Sequence, residues 1–539
     1  MRYFSILLAA AVLAGTAGTA SAQSAVDAYN MSPTQLRGTA RFVAMGGAFT
    51  SLGGDISSMT QNPAGLGLYR HSDLGLTFDI SFRKYSADTR TETNSNTQTR
   101  AYFDNFGYVG TVKLNGALRT FNWGVSYNRL SSFDRRFNGY NLGTASSMSN
   151  YIAAITDGVN SSDMLFDKGN NYNPYLDSDI DWLSILSYNS FMINNQTADT
   201  QYSGLFQNGT DGDAEYSVRE RGYTDEYNID FAGNIEDIIY WGLGIGIYDL
   251  DYTREINYSE SMAGALVYAN DGNNLRTGNA GFGMYNNKYI TGSGANLKFG
   301  LIFRPIDMLR IGFAVHTPTW MHMRSSGWAE TDYNYTPDGF GPDRTQSGHE
   351  YTEDFDYKWR LNTPWRFMVG ASLTVANRAI VSLDYERVAY GDMKVKYQSW
   401  NTWGDSFENA EGINDAVKDY FKASNIIRLG VEYRITNSIS ARAGYNYQTT
   451  NVRDAAADNR MEIQTSGTDT SYSFDKDVQN ICLGLGYRYK SWYVDLAYQH
   501  TTRKSTFHAY TPFGGVTDTP QASVKSNLNN IVISTGFRF

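Results

Sequence analysis

Leu74-Gly75-Leu76-Thr77-Phe78-Asp79-Ile80-Ser81-Phe82-Arg83 alternates apolar residues with small, polar or charged ones from end to end. A period of two places Leu74, Leu76, Phe78, Ile80 and Phe82 on one face of an extended strand, with Thr77, Asp79, Ser81 and Arg83 on the other. One dry face and one wet face suit a strand that has lipid outside and a polar interior within.

The same alternation returns around Phe106, Phe121, Tyr227, Ile239, Ala295, Ile311, Trp365, Val381, Ile427, Ile439, Ile481, Trp492 and Ile531, which makes fourteen strands. The stretch at Tyr227, Ile229 and Phe231 reads as a short one. Even counts are usual in single-chain bacterial outer-membrane barrels. Connections alternate in length. Short turns fall at Asn115-Gly116, Asn234 to Asp237, Pro305 to Asp307, Ala376-Asn377, Thr436-Asn437 and Lys490-Ser491. Long polar loops fall at 84–101, 130–221, 253–288, 322–350, 391–424, 449–478 and 504–526. Short turns belong in the periplasm and long loops outside, so both chain ends are expected on the periplasmic side. Trp241, Tyr252, Tyr289, Trp359, Trp365, Tyr447 and Trp492 sit near strand ends, as interfacial girdles do. Within 130–221, Met148 to Val159 and Asp181 to Ile193 read as amphipathic helices that cover or line the barrel mouth. A soluble sandwich would not need the regular asymmetry of turns, and no 20–50-residue repeat supports a propeller.

The termini and composition agree. Arg2, the apolar run Ile6 to Leu13 and Ala20-Ser21-Ala22 predict a signal peptide over 1–22, cleaved near Gln23. That run is too short to span a bilayer, and no later apolar stretch reaches helical spanning length. The formal net charge of -10 argues against a nucleic-acid partner. Cys482 is the only cysteine, so there is no disulfide framework and no cysteine-based metal site, and it reads as a small buried filler.

No catalytic motif stands where its chemistry would need it. The glycines of GLGIG (Gly242, Gly244, Gly246) lie inside a strand and face inward, which excludes a dinucleotide loop. The chain is therefore expected not to be an enzyme, and to need no cofactor or metal. Asp177, Asp179 and Asp181 could hold a divalent cation, but acids before a helix also complement its dipole. His316, Met321, His322 and Met323 could ligate haem, although residues at a strand end are more simply rim residues.

One mature segment lacks the two-residue period. Gly38 to Leu68 is rich in small residues, with Gly46-Gly47, Gly53-Gly54 and Asn62-Pro63-Ala64-Gly65. We read residues 23–72 as a plug within a barrel over 73–539. Small residues let its backbone pack tightly, and glycine permits positive-φ turns. Pro63 removes a donor, and Asn62 can bond nearby backbone. The Asn-Pro-Ala-Gly run also fits the end of a short helix begun at Ser57 or Ser58.

The Asn62-Pro63-Ala64-Gly65 run, the strand count and the terminal Phe539 together resemble the FadL/TodX family of outer-membrane transport proteins. The opening Arg41-Phe42-Val43-Ala44-Met45-Gly46-Gly47-Ala48-Phe49 is similar to a branch common in Bacteroidetes. Arg304-Pro305 to Thr317-Pro318 and Asn362-Thr363-Pro364 to Gly370 echo the same pattern. The resemblance implies an outer-membrane channel, with the N-terminal segment as its hatch. It implies passive uptake of hydrophobic molecules, typified by long-chain fatty acids. Extracellular loops would capture them, and they would leave past the hatch or through a lateral opening. Asn62, Pro63 and Ala64 match the hatch motif. Expected partners are the substrate, outer-membrane lipid and lipopolysaccharide, and the insertion machinery that reads the closing strand; a monomer is expected. Two other readings remain: a non-transport barrel serving as scaffold or protein-secretion carrier, and haem uptake.

Overall fold

A computed structural model describes residues 23–539, except 196–197, 270–274, 340–343, 377 and 400–405. The expected signal peptide, and Asn377 of one expected turn, lie outside the described residues. The wall is built from β1 (Asp73–Asp88), β2 (Thr93–Lys113), β3 (Leu118–Ser132), with β4 (Arg135–Asn141) above it, then β5 (Asp211–Ile235), β6 (Ile239–Tyr268), β7 (Leu275–Ile306) and β8 (Leu309–His316). Next come β9 (Trp320–Pro337), β10 (Gln346–Tyr351), β11 (Phe355–Asn362), β12 (Arg366–Val375), β13 (Ala379–Val388), β14 (Lys394–Gln398) and β15 (Phe407–Asn409). The chain closes with β16 (Ser424–Arg434), β17 (Ile439–Gln448), β18 (Tyr472–Tyr489), β19 (Trp492–His508) and β20 (Gln521–Arg538).

Fourteen of these form a closed antiparallel barrel: β1, β2, β3, β5, β6, β7, β8, β12, β13, β16, β17, β18, β19 and β20. Closure is between β1 and β20, from Asp73 opposite Arg538 to Asp88 opposite Ser523. Ser72 and Phe539 then exchange two backbone hydrogen bonds of 3.0 Å. Closure removes both free edges, and an edge is what a strand cannot leave unpaired in hydrocarbon. The outward alternates form an exposed apolar band, with Phe78 at 51% and Leu483 at 55%. Among the described residues no helix is long and apolar enough to cross a membrane, and the crossing is by strands.

Two expectations are corrected here. Three of the seven segments read as long polar loops, 84–101, 253–288 and 322–350, are mostly strand: β6 runs on to Tyr268 and β7 begins at Leu275, within the expected loop 253–288. The stretch expected to be a short strand belongs to β5, which has 25 residues. β6 has 30 residues, about 100 Å of extended chain at roughly 3.3 Å each. Only about 9–11 residues are needed to cross the membrane. Above the bilayer the outer face of the wall meets water and the inner face packs on the cap, so the outward apolar row that reports lipid disappears while the ladder continues.

The mouth is capped. α3 (Met148–Thr156), α4 (Pro174–Asp177) and α5 (Trp182–Asn189) pack Ile152, Trp182, Ile185 and Leu186 against Tyr216, Tyr258, Phe282 and Tyr335 of the tall wall. Below the cap, residues from Gln23 onward fill the lumen. They form α1 (Ala25–Met31), α2 (Ala40–Ala44) and two 3-10 turns, Ile56–Thr60 and Pro63–Leu68.

Candidate functional site

The lumenal segment is stitched to the wall on nearly every side. Asn62 Nδ2 donates to the Thr50 carbonyl at 2.5 Å and to the Phe313 carbonyl of β8 at 3.3 Å, and Asn62 Oδ1 accepts from Ala64 N at 3.0 Å. Asn62 therefore caps the second 3-10 turn, with Pro63 in the first helical position where a missing N–H costs nothing. The run does follow a short helix, Ile56–Thr60, but its asparagine starts the next turn as well.

That motif sits on two wall glycines. A Cβ on Gly300 would lie 1.9 Å from Asn62 Oδ1, and one on Gly242 would lie 2.3 Å from Ala64 N, so the inward face of β6 and β7 must be bare there. Gly246 meets wall side chains instead, Asn296, Glu226 and Tyr248. On the opposite wall Gly444 would place a Cβ 2.2 Å from Gly46 N. Gly46, Gly47, Gly53 and Gly54 all have φ between +58° and +74°, the left-handed region that favours glycine. Gly65 packs its backbone against Gly53 and Ser58.

Charges fix the rest. Arg37 bridges Asp79 at 3.1 Å and Asp104 at 2.5 Å. Arg41 meets Glu432 at 2.9 Å, and Glu432 also holds Arg442 at 2.7 Å. Thr50 N and Gln61 Nε2 both donate to Asp384, at 2.7 and 3.2 Å. Lys298 pairs with Glu226 at 2.5 Å and donates to the Met59 carbonyl at 3.2 Å. All these partners are buried or nearly so. Removing one member of such a pair strands the other, at about 3–5 kcal/mol.

Above this layer lies a chamber. One cavity of about 170 Å³ is bounded by the 30–37 stretch of the lumenal segment and by six arginines: Arg37, Arg83, Arg135, Arg366, Arg428 and Arg503. Asp134, Glu220 and Asp475 are the carboxylates around it. Arg37 Nε, Arg83 Nη2, Arg135 Nε, Arg428 Nη1 and Arg503 Nε have no hydrogen-bond partner among the described residues. A second cavity, of about 50 Å³, adjoins it through Pro33, Thr34, Leu130, Arg366, Ile426 and Gln448. Its walls are largely apolar: Met31, Leu250, Met321, Leu361, Pro364 and Val388. A cluster of spare guanidinium donors beside an apolar slot can hold a molecule with an anionic head and a hydrophobic body.

The wall beside the chamber has a seam. The β2–β3 ladder ends at Asn105 opposite Asn128. From Asp104 up to Thr93, β2 pairs with β1 alone, while β3 and β4 pair with β5. Side chains span the gap instead: Tyr102 reaches Asp134, Arg83 Nη1 donates to the Asp134 carbonyl at 2.7 Å, and Asn96 Nδ2 donates to Asn138 Oδ1 at 2.7 Å. The gap starts in register with Phe78 and passes Phe82, both on the lipid-facing band. Tyr102 is held between guanidiniums, 4.8 Å from Arg37 and 5.0 Å from Arg83.

Other sequence candidates fall elsewhere. His316 is buried inward, its Nε2 2.9 Å from the Gln61 carbonyl, whereas His322 is exposed on the outer face. They lie on opposite sides of the wall and cannot clasp one haem, which corrects that reading. Met321 and Met323 point inward and pack in the upper lumen. Asp177 accepts from Asn173 N and Asp181 from Leu183 N, so both serve helix starts. Among the described residues no group of three or more potential ligands could hold a metal ion. Cys482 is buried against Ala44 and Val43. Sequence reasoning missed Arg37 of the lumenal segment and Arg83, Asp384, Glu386 and Arg428 of the wall, where Glu386 holds Arg366 at 2.6 Å and Arg428 as well; the polar alternates of the strands were the signal that contained the four wall residues.

Residues 373–491 match the model of the OmpA-like transmembrane domain, a stretch of β-barrel wall. No curated protein matches. Among solved structures, a Pseudomonas aeruginosa FadL homologue is similar over 94% of this chain and 100% of its own, at 12% identity and a TM-score of 0.53. The P. putida toluene transporter TodX covers 94% and 99% at 14% identity with a TM-score of 0.47. The Ralstonia pickettii toluene transporter TbuX covers the same shares at 15% identity and 0.45. At these identities the likeness is one of fold: this chain has the FadL-type barrel architecture, an outer-membrane type of barrel.

Proposed function

We propose that the protein is an outer-membrane channel for passive uptake of hydrophobic small molecules that carry an anionic head, long-chain fatty acids typifying the class. The observation that carries this reading is the chamber, with its unpartnered arginine donors beside an apolar slot and directly next to the β2–β3 seam. The head would lie among Arg83, Arg428 and Arg503, and the chain would extend toward Met31, Leu250 and Leu361. Neither cavity reaches the roughly 300 Å³ at which ligand pockets begin. Occupancy therefore requires Met31 to Thr34, which separates the two, to shift. The substrate would leave either through the seam, where side-chain contacts rather than ladder bonds close the wall, or past residues 23–72 acting as a hatch. Asn62, Pro63, Ala64 and Gly65 would hold that hatch, with Gly46, Gly47, Gly53 and Gly54 shaping its turns. Transport follows the gradient and downstream capture.

The solved FadL homologue has the same fold, which supports a channel. The polar filling at the lower lumen and the closed cap favour the second reading, a barrel that acts as scaffold or secretion carrier. Uptake of a labelled long-chain fatty acid into cells or liposomes separates the two. The proposal expects saturable uptake that falls when Arg428 or Arg503 becomes Gln, and a corresponding fatty alcohol taken up more slowly. Uptake no faster than in barrel-free controls overturns it in favour of the scaffold.

A further inference from the structure

The outer face of the wall carries an ordered block of positive charge just above the lipid band. β9, β11 and β14 are neighbours there, in a register that stacks their outward residues in rows. Trp320 lies opposite Asn362, and Asn362 opposite Lys394. The next row up is His322, Arg360 and Lys396, and the one above it is Arg324 and Lys358. The inward alternates Met321, Trp359, Leu361 and Val395 are buried, which fixes the cations on the outside. Trp320 is 46% exposed and Trp365 39%, so the block starts at the aromatic edge of the apolar band, with Lys394 in the row of Trp320, and rises two rows above it. A row is two residues, about 7 Å.

Three adjacent strands thus present Arg324, Lys358, Arg360, Lys394 and Lys396, with His322 among them. Among the described residues, β9, β11 and β14 carry no carboxylate in these three rows; Asp356, one row higher, is held by Arg324. The neighbouring wall differs. At this height β6 offers Asp249 and Asp251, the latter accepting from Tyr289 OH at 2.6 Å. A groove of about 590 Å³ runs between the acidic and basic sides, under His322, Arg324 and Arg360. Arg360 also lies 4.1 Å over the Phe407 ring, which holds its guanidinium at the groove.

We propose that this block binds the phosphate groups of lipopolysaccharide packed against the barrel. Its height is where the head of an outer-leaflet lipid begins, and its charge complements a lipid that carries more than one phosphate. Rows of cations about 7 Å apart can each meet a separate phosphate. The assignment rests on the barrel standing in an outer membrane, but not on transport, so it holds or fails separately from the uptake reading.

The test uses the whole purified barrel in detergent. Bisphosphorylated lipid A, dephosphorylated lipid A and phosphatidylglycerol are titrated and bound lipid is read by native mass spectrometry. The variant carries Lys358→Gln, Arg360→Gln, Lys394→Gln and Lys396→Gln, and a control carries Lys84→Gln and Lys504→Gln elsewhere on the wall. Folding of each is verified by heat-modifiable gel migration, and Arg360→Lys alone provides a second, conservative variant. Binding of bisphosphorylated lipid A is expected to fall by roughly tenfold or more in the fourfold variant, and to persist in the control and in Arg360→Lys. Dephosphorylated lipid A is expected to bind weakly to all. Equal binding by the fourfold variant overturns the proposal, and so does phosphatidylglycerol or dephosphorylated lipid A binding as well as the bisphosphate.

Discussion

At the scale of single residues, the lumenal segment stands on contacts that tolerate no added atom. Asn62→Ala removes the donor to the Thr50 and Phe313 carbonyls and the cap on Ala64 N. It leaves the Thr50 carbonyl short of a partner in a buried site, a cost of about 1–3 kcal/mol. Gly300→Val approaches the same contact from the wall side and forces Asn62 away. Both variants are expected to assemble as barrels yet leak, read as more frequent openings in planar-bilayer conductance; silent traces in both would refute the tie between this contact and sealing. The glycines of the plug were legible in the sequence because a left-handed backbone favours that residue. Their partners were not. Gly242 read as an ordinary inward strand position, since alternation shows which face a residue occupies but not what lies against it. Asp384 and Glu386 are likewise polar alternates of one strand, and only the fold places Thr50 and Arg428 on them.

At the scale of elements, the tall strands and the cap were the hardest to read. The lipid-facing ladder declared itself through its period, whereas the extracellular half of β5, β6 and β7 has a polar outer face, keeps its apolar residues on the inner face against the cap, and looked like loop. The cap helices were legible as helices, but not the wall residue that seats the first. Glu260 accepts from Met148 N at 2.8 Å and from Tyr258 OH at 2.6 Å, holding the start of α3 to β6 well above the membrane. Burial pushes its carboxyl from 4.5 up to about 7. Between those values the native protein holds a proton that the unfolded chain releases. The stabilisation is therefore complete below pH 4.5 and is lost as pH rises through 7, by about 3 kcal/mol at most. Amide exchange across Met148 to Thr156 is expected to quicken, beyond its intrinsic pH dependence, between pH 5 and 8, and to lose that extra rise in Glu260→Gln. A second element-scale expectation concerns the seam. Cysteines replacing Asn96 and Asn138, joined by a short cleavable thiol cross-linker, tie β2 to β4 where no ladder bonds do. Fatty-acid uptake should drop several-fold and recover on reduction; full uptake while the tie is in place would exclude exit by this route.

At the scale of the molecule, the barrel is too wide to be sealed by its own side chains. Fourteen strands enclose more than inward residues can fill, so an open aqueous path is the default unless something else occupies it. Here the occupant is the chain's own start, and it is matched to the wall in shape and in charge. Shape comes from wall glycines facing plug backbone, and charge from Arg37 on Asp79 and Asp104 and Arg41 on Glu432. Removing residues 36–68 separates these two contributions. The wall ladder closes between β1 and β20 without them, so the barrel should still form. The lumen should then conduct continuously, and Asp79, Asp104 and Glu432 would have lost their plug arginines, leaving carboxylates facing water. A reversal potential measured across a salt gradient is expected to show cation preference. Restoring neutrality with Asp79→Asn and Asp104→Asn should weaken that preference and leave the conductance high. A truncated barrel that stays closed would mean that the cap, not the plug, seals the lumen. An open but anion-preferring pore would mean that the arginines of the upper chamber set its field.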